Sequence, residues 1–201
     1  LNIPWPSALF GSLAFGFSTY LLIILQVGHN TKALAVSFIP FVLSGLLLVF
    51  QRKRLLGFIL MTLALGMQIR ANHYQMTYYL LILMGIFVIV FGIQALKENR
   101  VKIFASSIGL LFLSGILSLG FNATPLLTTA EYTKFSTRGS SELKLNPDGS
   151  PKEQSTGLEY DYITEYSYGI FESLNLIVPR VQGGGSSEDL GQDHGVYDFL
   201  R

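Results

Sequence analysis

Five apolar stretches dominate the first 121 residues, at about residues 6–26, 33–50, 55–69, 75–96 and 103–121. A helix needs about 20 apolar residues to cross the hydrocarbon core of a bilayer. The third stretch is the shortest, and Pro40 predicts a kink in the second because proline lacks the backbone donor of a helix interior. None of the five shows the polar stripe of a water-soluble helix. The pattern therefore predicts an all-α polytopic membrane protein with about five transmembrane helices.

Charge divides the chain into two parts. Only 13% of the residues are charged, against about 25% in a soluble domain. Residues 1–121 carry eight Lys or Arg and one acid, whereas residues 122–201 carry six Lys or Arg and twelve acids. This asymmetry predicts a transmembrane region over 1–121 and an extracytoplasmic segment over 122–201. The small number of basic residues argues against nucleic-acid binding.

Several kinds of site are excluded or lack their motif. The absence of cysteine excludes disulfides, a thiolate nucleophile and cysteine-ligated metals. The spacing of the histidines and acids matches no metal-binding motif, so we predict no metal site within the chain. No Gly-x-Ser-x-Gly motif of a serine hydrolase is present. The run Gly183–Ser187 lacks the Gly-Lys-Ser/Thr ending of a P-loop and is interpreted as a flexible outer loop. The first residue is Leu and no signal peptide is visible, so we expect an internal fragment of a longer protein.

Orientation follows from the basic residues in short loops. Residues 52–54 and three further basic residues, Lys97, Arg100 and Lys102, fall on one side of a five-span alternation. The positive-inside rule makes that side cytoplasmic. The turns at residues 28–32 and 70–75 and the whole of 122–201 are then expected on the outer side.

The two outer turns contain most of the unusual polar residues of the membrane region. A cationic cluster rich in hydrogen-bonding groups suits a phosphate, because Arg offers a planar fork and Lys a point charge to phosphate oxygens. An alternative is that Lys32 and Arg70 only anchor helix ends at lipid headgroups. Gln68 lies next to this set, and the phosphate-binding candidates are His29, Asn30, Lys32, Arg70, Asn72, His73 and Gln75.

The segment 122–201 is predicted to begin with a helix at Thr128, from a weak capping-box pattern with Glu131. Residues 136–159 have the composition of an exposed loop. Apolar residues at helical spacing then predict a helix over about 163–177 that is rich in aromatic residues and ends before Pro179. Such aromatics suit a helix at the outer membrane surface or, alternatively, the core of a small outer domain.

Six short strings in order resemble the YfhO-type bacterial membrane proteins, in the version found in Bacteroidota. They are Ala14-Phe-Gly-Phe-Ser-Thr-Tyr20, Gly28-His-Asn-Thr-Lys32 and the run at 70–79, followed by strings at 136–139, 166–169 and 177–186, and their common order is more specific than any one of them. The family is related to C-type glycosyltransferases, multi-pass enzymes of the cytoplasmic membrane. The resemblance implies transfer of a sugar from a polyprenyl-phosphate donor to a cell-envelope acceptor on the outer face. The resemblance also implies that the acidic catalytic residue, and any divalent metal, belong to a loop upstream of this sequence, and that further spans follow it.

The resemblance and the outer turns suggest roles for particular residues. Lys32 and Arg70 are expected to stabilise the leaving phosphate while Asn30, Asn72 and His73 orient it. Glu131, Arg138 and Glu172 are candidates for the acceptor side. The competing hypotheses are a transporter or flippase for a lipid-linked sugar, and a non-catalytic scaffold for envelope enzymes.

Overall fold

The computed structural model describes residues 3–133 and, beyond them, residues 135–136, 150, 164, 167, 169–176 and 178. The chain forms two compact units, Leu1–Glu131 and Tyr132–Arg201. The helices are α1 Trp5–Gly16, α2 Thr19–Gln26, α3 Asn30–Ser37, α4 Ile39–Phe50, α5 Arg54–Arg70, α6 Tyr74–Lys97, α7 Val101–Phe121, α8 Ala123–Thr133 and a 3₁₀ helix at Phe171–Leu176.

The fold is that of an all-α polytopic membrane protein, as predicted. Among the described residues, four helical stretches are long and apolar enough to cross a membrane: Trp5–Gln26, Asn30–Phe50, Tyr74–Lys97 and Val101–Phe121. The third predicted span is α5, which has 17 residues and a length of about 25 Å at 1.5 Å per residue. Its crossing stays a prediction, since it is shorter than the four others.

Two of the four long stretches are interrupted. The first breaks at Phe17 and Ser18, where Ser18 has extended backbone angles (φ −60°, ψ 139°). The second breaks at Phe38, directly before a helix that has Pro40 in its first turn, so it is interrupted where Pro40 predicted a kink. Proline fits a first turn because the helix needs no backbone donor there. The break at Ser18 was not predicted, since neither proline nor a charge marks it.

Helices α4 and α5 pack at very short range through two glycines. A Cβ atom on Gly45 would lie 2.7 Å from the backbone N of Met61, and one on Gly57 would lie 2.6 Å from the backbone N of Val49. These contacts pair later residues of α4 with earlier residues of α5, so the two helices are antiparallel. Small residues allow this approach, which is a common basis of helix association in membranes.

Helices α5 and α7 are parallel and are joined by a ladder of side-chain hydrogen bonds. The hydroxyls of Ser114 and Ser118 donate to the carbonyls of Phe58 and Thr62, at 3.5 and 2.9 Å. Asn122 Nδ2 donates to the Gly66 carbonyl at 2.9 Å. Each pair is 56 residues apart, and this constant separation requires the two helices to run in the same direction. Helix α5 therefore lies lengthwise beside α7.

At the end of the α5–α7 pair opposite to Asn122, Arg54 of α5 is hydrogen-bonded to α7. Its guanidinium donates to Ser106 Oγ at 3.2 Å and to the Ile103 carbonyl at 3.1 Å. Close by along the chain, the Phe50 ring of α4 stacks on Phe91 at 4.3 Å and on Phe104 at 5.8 Å between ring centroids. These contacts join the beginnings of α5 and α7 to the end of α4 and to α6.

The prediction of a helix start at Thr128 is wrong. Helix α8 begins at Ala123, five residues earlier. The Thr128 hydroxyl is bonded back to the carbonyls of Thr124 and Pro125 inside the helix, so it cannot cap a helix that follows it. Of the helix predicted over 163–177, the described residues show the 3₁₀ helix Phe171–Leu176. The loop 136–159 and the run Gly183–Ser187 lie almost wholly outside the described residues.

Candidate functional site

The first candidate turn joins α2 to α3 and exposes its polar side chains. Gly28 has φ +80°, and the backbone N–H of His29 donates to the Ile24 carbonyl at 2.9 Å. His29 and Asn30 are exposed. Asn30 also lies at a groove of about 420 Å³ between α1, α2 and α3, whose other lining residues are Phe15, Gly16, Leu21, Leu25, Ala33, Leu34 and Ser37. The groove is apolar apart from Asn30 and Ser37.

Lys32 is directed toward α2. Its Nζ atom lies 5.3 Å from the centroid of the Tyr20 ring, which is within the range of a cation–π interaction. The side chain is half-buried. The Lys32 ammonium group therefore contacts a residue of the same α2–α3 hairpin. The sequence pattern alone did not indicate this contact.

The second candidate turn joins α5 to α6. Arg70 is the last residue of α5 and is exposed. Asn72 follows in the left-handed region at φ +57°, and His73 precedes α6 with φ −121° and ψ 78°. A cation in the last turn of a helix stabilises the negative end of the helix dipole, so Arg70 has a structural role whatever its function.

A buried polar cluster lies beneath this turn. The Gln68 side chain is 0% exposed, and Thr77 Oγ1 lies 3.1 Å from Gln68 Oε1 and 3.5 Å from the His73 carbonyl. Gln68 Nε2 and His73 Nδ1 are buried and have no hydrogen-bond partner among the described residues. A buried unpaired polar group costs about 1–3 kcal/mol, so such groups call for a functional explanation.

Gln75 is exposed on the first turn of α6, where its Nε2 donates to the Tyr79 hydroxyl at 2.9 Å. This bond joins residues four apart on one helix face. The sequence placed Gln75 in the phosphate set and left Gln68 out, although only Gln68 is buried with a free donor. Burial was the missing information, because both are glutamines within five residues of Arg70 in the sequence.

The two turns lie at the same end of the helix bundle. Helix α3, which begins at the first turn, contacts both α5 and α6, which flank the second. The antiparallel packing of α4 on α5 agrees with this arrangement. Within residues 3–133, however, no hydrogen bond or ion pair connects a side chain of one turn to a side chain of the other. The predicted phosphate set therefore forms two neighbouring groups.

Neither Lys32 nor Arg70 is neutralised within the described part of the chain. The ion pair found there joins Arg100 to Glu98 at 2.8 Å, in the α6–α7 turn. Lys32 and Arg70 have no carboxylate within 4 Å among those same residues. The candidate site therefore keeps its positive charge.

The three acceptor-side candidates fall in different parts of the chain. Glu131 is exposed in α8. Glu172 belongs to the other unit, where its Oε2 accepts a hydrogen bond from the Gly169 N–H at 3.0 Å. Arg138 lies outside the described residues. In the described ranges, no group of three or more His, Asp or Glu residues could hold a metal ion.

Comparisons of the chain with protein-family models, with curated proteins and with solved structures find no match. A function is therefore inferred from the chain's own residues and from the resemblance noted in its sequence.

Proposed function

We propose that the chain is part of an integral membrane glycosyltransferase of the YfhO type. It would transfer a sugar from a polyprenyl-phosphate donor to a cell-envelope acceptor, at the outer face of a bacterial cytoplasmic membrane. The observation that carries the proposal is the grouping of uncompensated cations and hydrogen-bonding side chains at one end of an apolar helix bundle. Residues 122–201 would face outward in this arrangement.

The chemistry assigned to these residues is stabilisation of the leaving phosphate. In an inverting transfer a carboxylate removes the acceptor proton, and cations stabilise the charge that develops on the leaving group. Arg70 suits this role best, since it is exposed and has no carboxylate partner in the described residues. Lys32 is half-buried against Tyr20 and would act only after leaving that ring. Asn30, Asn72 and His73 would orient the phosphate, and the carboxylate would come from outside this chain.

The side chains inside the helix bundle give less support to transport of a lipid-linked sugar than to sugar transfer. A transporter needs polar groups that face a pathway and are free to contact the substrate. The buried polar residues of α7, such as Ser114, Ser118 and Asn122, instead donate to carbonyls of α5 and of their own helix. Their hydrogen bonds are used in helix packing.

The test is a transfer assay on the intact protein with a radiolabelled polyprenyl-phosphate sugar and isolated envelope acceptors. Arg70→Gln should lower the rate about 100-fold, the usual loss when one donor to a developing anion is removed. Lys97→Gln is the matched control, because Lys97 occupies the last turn of α6 as Arg70 does that of α5. No transfer by correctly folded protein, or equal effects of the two substitutions, would contradict the proposal and favour a transporter or a scaffold.

A further inference from the structure

Four turns between helices share one backbone form. In each, the C-cap residue of one helix is followed by a residue with positive φ and then by the N-cap residue of the next helix. The four central residues and their φ values are Gly28 (80°), Arg52 (66°), Asn72 (57°) and Asn99 (54°). A left-handed residue after a helix is a common way to end it, and a bond from the next N–H to the carbonyl five residues earlier usually completes the motif.

Three of the four turns form that closing bond. The donors are the backbone N–H groups of His29, Lys53 and Arg100, which reach the carbonyls of Ile24, Leu48 and Ala95 at 2.9, 3.0 and 2.8 Å. The α5–α6 turn is the exception, because the corresponding bond from the His73 N–H to the Gln68 carbonyl is not formed. The backbone of His73 is also the most extended of the four capping residues.

The α5–α6 turn, which lacks the closing bond, contains hydrogen-bond donors that have no acceptor. In the described residues, the His73 N–H has no backbone partner, and the buried Gln68 Nε2 has no partner at all. The Thr77 hydroxyl, in the first turn of α6, donates to Gln68 Oε1 and so holds the Gln68 side chain beside that turn. That helix has 24 residues, no acidic residue in its first turn and no side-chain cap. The N–H groups at a helix N-terminus and the helix dipole attract anions, and the exposed Arg70 adds a full positive charge.

We propose that the α5–α6 turn binds a phosphate group and that Gln68 donates a hydrogen bond to one of its oxygens. The inference deepens the proposed function and rests on it only for the molecule that carries the phosphate. Phosphate fits because it accepts several hydrogen bonds at once, from an arginine fork and from backbone N–H groups. Gln68 Nε2 and His73 Nδ1 are covered, so the turn must open for a ligand to reach them. The missing closing bond makes this opening easier here than at the other three turns.

The experiment follows the histidine side chains by NMR. The chain has three histidines, so selective ¹⁵N-histidine labelling of the protein in detergent micelles gives a simple spectrum, assigned by single substitutions. Inorganic phosphate and dodecyl phosphate are titrated separately. We expect a saturable change in the His73 signals. Saturation by dodecyl phosphate alone identifies a lipid phosphate as the ligand, and saturation by both identifies the phosphate group alone as sufficient.

Substitutions then test the assigned residues. Gln68→Met keeps the length of the side chain and removes its donor, and Arg70→Gln removes the charge. Each should weaken binding about tenfold or more, as expected for loss of a hydrogen bond to a charged group. Gln94→Ala is the matched control, since this exposed glutamine lies near the other end of α6, where its Nε2 donates to Glu98. Thr77→Val, which releases Gln68 Oε1, should also weaken binding and covers the case in which Gln68→Met does not fold.

Two results would overturn the inference. One is the absence of any saturable change at His73 with either phosphate, in protein whose circular dichroism shows the expected helix content. The other is wild-type affinity in both Gln68→Met and Thr77→Val. Because binding is measured without sugar transfer, a failed transfer assay with intact phosphate binding would contradict the proposed enzyme and leave this site standing.

Discussion

The side chain of Asn122 ties the end of α7 to the carbonyl of Gly66 on α5, through a 2.9 Å hydrogen bond from Nδ2. Nδ2 also donates to the Ser118 carbonyl at 2.8 Å, and Asn122 is only 2% exposed. Gly66 lies two residues before Gln68 and four before Arg70. The bond therefore fixes the part of α5 that leads into the candidate phosphate site.

Asn122→Leu should destabilise the helix bundle. Leucine has a similar size but cannot donate, and hydrogen bonds between membrane helices contribute about 0.6–2 kcal/mol each. We expect a loss of about 1–2 kcal/mol for the two bonds together, measured by unfolding in mixed micelles with increasing SDS. Ser12→Ala is the control, because the exposed Ser12 hydroxyl bonds only the Ala8 carbonyl of its own helix. Equal stability of the two variants would show that the Asn122 bond does not hold α7 on α5.

Gly57→Ala should be among the most damaging substitutions in the described part of the chain. The added methyl would lie 2.6 Å from the Val49 nitrogen and 2.7 Å from the Gly45 carbonyl oxygen, and backbone atoms cannot move aside without separating α4 from α5. Overpacking of this kind costs about 1–3 kcal/mol.

Gly109→Ala provides the comparison for Gly57→Ala. Gly109 lies inside α7 with nothing within 4 Å of the added methyl. Alanine is favoured over glycine in a helix by up to about 1 kcal/mol, so this variant should be neutral or more stable in the same SDS titration. If both variants lost stability alike, the close contact of α4 and α5 would not be the cause.

Arg52→Gly should stabilise the α4–α5 turn. Arg52 has φ +66°, a conformation that costs a residue with a Cβ about 1–2 kcal/mol. Glycine adopts it freely but adds entropy to the unfolded chain, so the net gain should be about 0.5–1 kcal/mol. Gln51→Gly in the same turn is the control, since Gln51 has φ −79° and only the entropic loss applies. A gain in stability from Gln51→Gly equal to that from Arg52→Gly would exclude relief of strain as the reason.

The apolar pattern of the sequence was sufficient to predict the helices and the kink before Pro40. Lipid removes any water that could satisfy backbone groups, so long apolar runs must be helical. The same pattern could not show that α5 is a core helix. Helix α5 is less apolar than α6, yet eight of its residues are buried, against one in the longer α6. In lipid, both buried and lipid-facing positions are apolar, so burial depends on close packing at positions such as Gly57.

The candidate site could be predicted only as a set of residue types. Histidine, asparagine and a basic residue recur in both turns, and the structure places these two turns at the same end of the bundle. The sequence did not predict that Lys32 would contact Tyr20, or that Gln68 would be buried with a free donor. Both facts depend on side-chain direction, which residue spacing does not determine in short hairpins.

The orientation of the bundle gives the last prediction, and the chain is well suited to testing it because it contains no cysteine. Single cysteines can be placed at exposed positions: Thr31→Cys in the first turn of α3, Thr128→Cys in α8 and Gln51→Cys in the α4–α5 turn.

The positive-inside rule places Arg52, Lys53 and Arg54 in the cytoplasm. A membrane-impermeant maleimide added to spheroplasts should therefore label Thr31→Cys and Thr128→Cys. It should label Gln51→Cys only after the membrane is permeabilised. Labelling of Gln51→Cys alone in intact spheroplasts would show the opposite orientation. Both candidate turns would then face the cytoplasm, where a donor bound at the outer face could not reach them.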